Sequence, residues 1–127
     1  MGSPVEGVKN TVLVPVFSDA RGDIFDIAEG TVGHIGMVTF VKGAIRGKHY
    51  HKESTQYSYV ISGVLKFTVS DIDGSNSREY MLEKGAFSTI PPRVIHTYEA
   101  LSDAVMLDLT TLARTDDGYE KDTVRIS

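Results

Sequence analysis

Short runs rich in Val, Ile, Thr, Tyr and Phe recur along the chain, each closed by Gly, Asp, Asn or Pro, and no apolar stripe of helical period runs among them. Such patterning restricts a chain to sheets. The spacing predicts strands over Thr11–Phe17, Ile24–Ile27, Gly36–Val41, Lys48–His51, Gln56–Ser62, Val64–Ser70, Arg78–Leu82, Ala86–Ile90, His96–Ala100 and Ala104–Thr110, with a short edge strand at Thr123–Ile126 in a charged tail. Ser70 to Ser77 is polar and turn-rich and reads as a hairpin loop. Many short strands at this spacing point to a sandwich or barrel, because closing the sheet hides edges that would otherwise pair with another chain. No helix longer than about two turns is expected.

The 127 residues suffice for one hydrophobic core and would starve two, so residues 1–127 form a single domain. A formal charge of -4 with scattered Lys and Arg leaves no basic stripe, which argues against nucleic acid as a partner. With no cysteine, any metal site must use nitrogen and oxygen donors and any covalent nucleophile must be other than a thiol. Met1 to Lys9 lacks the charged start and apolar run of a signal peptide, and no stretch is long enough to cross a bilayer, so a cytoplasmic protein with no membrane partner is expected. Met1–Pro4 carries no functional weight.

Three of the four histidines sit in two patterned blocks. The first is Gly47-Lys48-His49-Tyr50-His51 followed by Gln56 and closing at Gly63; the second runs from Gly85 through Pro91-Pro92-Arg93 to His96. On a strand, residues two apart point to one face, so His49 and His51 aim both imidazoles into the same interior. Gln56 has the opposite parity, so residues 52–55 must turn before it can rejoin them. Gly63 and Gly85 read as turn residues. His34, outside both blocks, reads as a hydrogen-bonded core residue, and Tyr57 and Tyr59, opposite in parity to Gln56, as packing.

These blocks resemble the two signature motifs of the cupin superfamily across roughly residues 43–110, with the barrel core spanning about 36–110. The resemblance implies an all-β, single-domain, double-stranded β-helix (jelly-roll barrel) whose interior metal ligands are His49, His51, Gln56 and His96. Gln56 stands where the usual metal-binding Glu would be, and Arg93 where the second motif often has Gly. A divalent ion (Zn, Ni, Mn or Fe) would therefore meet three imidazoles and a neutral amide, a weaker site; without a metal, the imidazoles are suited to carry protons near neutral pH.

Within the cupins, Arg46-Gly47-Lys48-His49-Tyr50-His51-Lys52 with Gln56 is similar to the nucleotide-sugar 3,4-ketoisomerases, and Arg46-Gly47-Lys48-His49-Tyr50 also resembles the dTDP-4-dehydrorhamnose 3,5-epimerases. Asp19-Ala20-Arg21-Gly22 is similar to a segment near the start of both groups, and Tyr119 to Arg125 to the tail of small cupins associated with polysaccharide genes. The resemblance implies isomerisation or epimerisation of a nucleotide-linked keto-sugar, with His49 as base, His51 as its proton-shuttling partner and Arg46 binding diphosphate. Arg93 is a second candidate for substrate binding. The strand Gly36–Val41 lacks the tyrosine that the ketoisomerases carry, so Tyr98, in parity with His96, is the candidate proton donor. Two other classes remain open: a metal-dependent cupin oxygenase, and a non-catalytic cupin that binds or senses a small molecule. Exposed edge strands also lead to the expectation of a homodimer, formed partly by strand exchange or edge pairing near the amino terminus.

Overall fold

Along the strand Gln56–Ser62, Gln56, Ser58 and Val60 are buried while Tyr57, Tyr59 and Ile61 face outward. The same alternation marks most strands in the second half of the computed structural model, which describes residues 5–126. Met1–Pro4 lies outside the described residues.

The strands are β1 (Lys9–Val12), β2 (Phe17–Asp19), β3 (Gly22–Ile24), β4 (His34–Phe40), β5 (Ile45–His51), β6 (Gln56–Ser62), β7 (Leu65–Asp71), β8 (Arg78–Leu82), β9 (Ala86–Ile90), β10 (Val94–Ala100), β11 (Ala104–Thr110) and β12 (Thr123–Arg125). One sheet runs β1-β9-β6-β11-β4 and the other β12-β5-β10-β7-β8, with β2-β3 a separate hairpin. The two faces enclose Phe40, Val60, Leu65, Phe67, Val69, Leu82, Ile90 and Met106. This is the expected all-β jelly-roll.

The polar segment 70–77 does form the β7–β8 turn, closed by Gly74 N–H to Asp71 O at 2.8 Å. Gly63 and Gly85 turn with φ of 86° and 90°. Two expectations shift at the amino end. The apolar run 11–17 does not form one strand: β1 stops at Val12, and Pro15, without an N–H to donate, sits in the irregular stretch before β2. The second expected strand, Ile24–Ile27, ends at Ile24, where the hairpin with β2 ends. The tail strand is shorter by one residue, and before it Gly118–Asp122 forms α1, a single turn of helix that the sequence pattern did not indicate.

Candidate active site

The histidines meet because of a bulge. His96 on β10 lies opposite His49 on β5, yet Thr97 lies opposite Gly47, so Lys48 is the extra residue of a β-bulge. Lys48 takes φ 56° and Gly47 φ 99°. A Cβ on Gly47 would lie 2.6 Å from the His96 carbonyl oxygen, so only glycine lets β5 come this close to β10. The bulge brings the His49 and His96 rings to 4.7 Å between centroids, with His51 5.1 Å from His49 and 5.4 Å from His96. Their ligating nitrogens all lie within 4.8 Å of one another.

Each ring has a different environment. His96 is fully buried; its Nδ1–H donates to Val94 O at 3.1 Å, leaving Nε2 with a lone pair and no partner. Burial, then the neighbouring His49 and His51, push its pKa down to about 3. His51 is buried and braced on both sides. Its Nε2 lies 2.9 Å from Gln56 Oε1, and its Nδ1 lies 3.3 Å from Thr123 Oγ1 and 3.6 Å from Asp122 Oδ2. A ring that donates from Nε2 to the amide oxygen accepts the Thr123 hydroxyl at Nδ1. His49 is half-buried and lines a cavity of about 410 Å³. Burial first, then His51, Arg125 and Arg114, push it down to about 4, so it is a free imidazole at neutral pH.

The cavity is also lined by Arg46, Gln56, His96, Tyr98, Asp108, Arg114, Tyr119 and Arg125. Arg46 is exposed, donates to Thr39 O at 3.2 Å and sits over the Phe40 ring. Tyr98 lines the wall, its hydroxyl engaged with Ser58 and Gln56 and its phenol pushed upward by burial. Arg93 is elsewhere. Its side chain is exposed in a separate groove with Lys52 and Lys121, while its N–H donates to His51 O at 2.7 Å. Arg93 thus faces a groove separate from the histidine cavity, and its backbone N–H holds His51. His34 is only half-buried, and its Nδ1 is buried without a partner, contrary to the reading of it as hydrogen-bonded.

Sequence reasoning missed the tail's contribution. Arg114 reaches back to the buried Asp108 at 2.9 Å and lies 4.2 Å over the Tyr119 ring, which in turn stands 6.0 and 6.3 Å from the His51 and His49 rings. β12 then pairs with β5 in register, Thr123 opposite His51 and Arg125 opposite His49. A signal was available for Asp108, a lone acid at an inward position of an otherwise apolar strand.

For a metal, His49, His51 and His96 offer three neutral nitrogens, and the orphaned His96 Nε2 suits a ligand atom. Gln56 fits less well, since its oxygen already bonds His51, and that bond must part before His51 Nε2 can ligate. The residues thus fit a three-histidine set without a carboxylate; a divalent ion held there would supply Lewis-acid chemistry.

A jelly-roll barrel that gathers histidines from two paired strands beside an open cavity is a cupin-type site. The cupin domain profile matches residues 36–110, and the chain belongs to that family. No curated protein matches it in sequence. Solved structures share the fold. QdtA, a sugar 3,4-ketoisomerase from Thermoanaerobacterium thermosaccharolyticum in complex with TDP, matches with TM-score 0.79 at 20% identity over 96% of this chain and 90% of that one. ChmJ, a 3'-monoepimerase from Streptomyces bikiniensis in complex with dTDP-quinovose, matches with TM-score 0.79 at 18% identity over 98% and 72%. A dTDP-4-dehydrorhamnose 3,5-epimerase from Sulfolobus tokodaii matches with TM-score 0.77 at 21% identity over 97% and 78%. Among the described residues, no helix is long and apolar enough to cross a membrane.

Proposed function

We propose that this cupin isomerises or epimerises a keto-sugar carried on a nucleotide, with His49 as general base. The observation that carries this reading is His49 itself: an imidazole held neutral, facing the cavity that also contains the Arg46 guanidinium. The resemblance of the two histidine blocks to sugar-modifying cupins and the fold shared with them support the same substrate class. His49 takes the proton from the carbon next to the ketone, and the C–H electron pair moves to form an enolate on the keto oxygen. Protonation of that carbon on its opposite face by a second acid, with His49 returning its proton to solvent, yields an epimer; where that carbon carries a hydroxyl, delivery of the His49 proton to the former carbonyl carbon, as the hydroxyl proton passes to the enolate oxygen, transposes the ketone. His51, behind His49 and braced by Gln56 and Thr123, serves the relay. Tyr119, whose hydroxyl bonds no described residue, replaces Tyr98 as the phenol free to protonate the enolate oxygen. Arg46 takes the diphosphate, where a guanidinium fork suits phosphate oxygens.

The test is solvent-deuterium incorporation at the α-carbon of a dTDP-linked 4-keto-6-deoxy sugar. Wild type should incorporate label and turn over; His49→Asn should lose both by roughly 10²–10⁴ while binding changes little. Label uptake unchanged in His49→Asn would sink the assignment.

A metal-dependent reaction is the second reading, favoured by the convergence of three neutral imidazoles with His96 Nε2 unpartnered. Stoichiometric transition metal in freshly purified protein, lost together with ligand binding in His49→Asn, would favour it instead.

We also propose that the chain works as a homodimer. At one edge of the first sheet, β4 presents Ile35 and Met37, 62% and 67% exposed, and at the other edge the exposed Val12 of β1 is followed in the chain by the exposed Val14, Val16 and Phe17. So much apolar surface at the two edge strands supports pairing with a second copy.

A further inference from the structure

The cavity contains three guanidiniums, and they are held very differently. Arg114 is committed: its partner is the buried Asp108, and leaving would strand that carboxylate. Arg46 donates to a backbone carbonyl and rests on Phe40. Arg125 is bound by a removable group. Its Nη1 and Nη2 donate to the two Glu120 carboxylate oxygens at 3.0 and 2.9 Å, and the side chains are 56% and 62% exposed.

We propose that Arg125 is an oxyanion-binding residue of the cavity and that Glu120 occupies its fork as an internal competitor, giving it up when a diphosphate arrives. The inference rests on the reading of the cavity as a site for nucleotide-linked substrates. Three observations carry it. Arg125 lines the same cavity as His49 and lies opposite it on the neighbouring strand, so an anion held there sits beside the base. A carboxylate offers two oxygens to a guanidinium fork in the way that a phosphate does, so one can replace the other without rearranging the arginine. The pair is exposed, and ion pairs of that kind hold weakly against a more highly charged competitor. The Tyr119 ring lies 5.9 Å from the Arg125 guanidinium, at the limit of cation–π reach.

Glu120 thereby selects for charge. A neutral or singly charged sugar cannot displace it, whereas a diphosphate, with Arg46 on the same cavity, can. Within that reading, the pair favours sugars carrying a diphosphate over free sugars.

Binding of TDP and of inorganic pyrophosphate, measured by titration calorimetry at fixed ionic strength, tests this in wild type, Glu120→Gln, Arg125→Met and the double variant. Removing the competitor should tighten TDP binding by about threefold or more, and removing the fork should weaken it by about tenfold. In the double variant Glu120→Gln should give no gain, because there is no fork to release. An equal gain with or without Arg125 would show a general charge effect and overturn the proposal, as would no gain in Glu120→Gln alone. Pyrophosphate separates this from the function reading. If it follows the expected pattern while TDP does not bind, the nucleotide-sugar reading falls and the competitor stands; if neither follows it, the competitor falls. A wild type that follows the pattern with TDP yet never exchanges deuterium into a keto-sugar leaves the anion site intact and removes the isomerase assignment.

Discussion

His51 and Gln56 bond side chain to side chain across the turn at 52–55, with Nε2 and Oε1 2.9 Å apart in the buried interior. The amide that stands at the usual acidic position of the motif therefore fixes the orientation of an imidazole. Changing Gln56→Glu places a carboxylate among three neutral imidazoles. Zinc affinity measured by calorimetry should rise by about tenfold or more, since charge is what the donor set lacks. Unchanged zinc binding would show that the pocket does not assemble around an ion.

Acidification should destabilise the protein through its histidines. Folded pKa values of about 4 for His49 and about 3 for His96 lie below the ordinary imidazole value of 6.5. The unfolded chain therefore binds more protons from pH 6.5 down to about 3, so stability is complete above that window and falls as pH drops through it. The slope should be about 1–2 kcal/mol per pH unit, most of it from fully buried His96 because solvent reduces the share of half-exposed His49. Urea melts at stepped pH check this, and His96→Gln should flatten the dependence.

Arg114 ties the tail to the barrel by bonding Asp108, whose carboxyl is pushed upward by burial. Arg114→Met should cost about 2–4 kcal/mol, because it leaves a buried acid without its partner. Replacing both residues, Arg114→Met with Asp108→Leu, should recover much of the loss. Equal destabilisation in single and double variants would show that the pair contributes packing alone.

Arg93 holds φ 66° with its side chain in solvent. Arg93→Gly relieves left-handed strain while keeping the N–H that bonds His51, so thermal unfolding should show a gain of about 0.5–1 kcal/mol. TDP binding should not change. A tenfold loss of binding would return Arg93 to the substrate.

Light scattering at micromolar concentration should give a dimer, and Met37→Lys or Val14→Asp should shift it towards monomer by placing a charge in the apolar face. A wild-type monomer would remove the proposal.

Much of the architecture was legible because alternation is a local property: Gln56, Ser58 and Val60 point inward for the same reason that Tyr57 and Tyr59 do not. The convergence of His49, His51 and His96 followed from parity and from the motif. The amino-terminal strands were not legible, since the run 11–17 is apolar for the sake of an outer surface, and apolarity alone does not distinguish core from exposed face. Nor were Asp122, Thr123, Tyr119 and Arg125, because what brings them to the site is the pairing of β12 with β5, a contact with no periodic signature. The direction of Arg93 was not legible either: its backbone N–H meets His51 while its side chain lies in a separate groove.

That pairing also sets an order of events during refolding. Thr123 and His51 are 72 residues apart, and the hydrogen bond between them needs a large chain loop to close. The histidines draw together when β10 docks on β5, and Thr123 and Arg125 join them only when β12 has docked as well, so the ability to bind TDP should return on the millisecond-to-second scale typical of sheets joined by distant segments. In a stopped-flow experiment the far-ultraviolet signal of β structure should recover ahead of ligand capture, which makes recognition one of the last properties this barrel acquires.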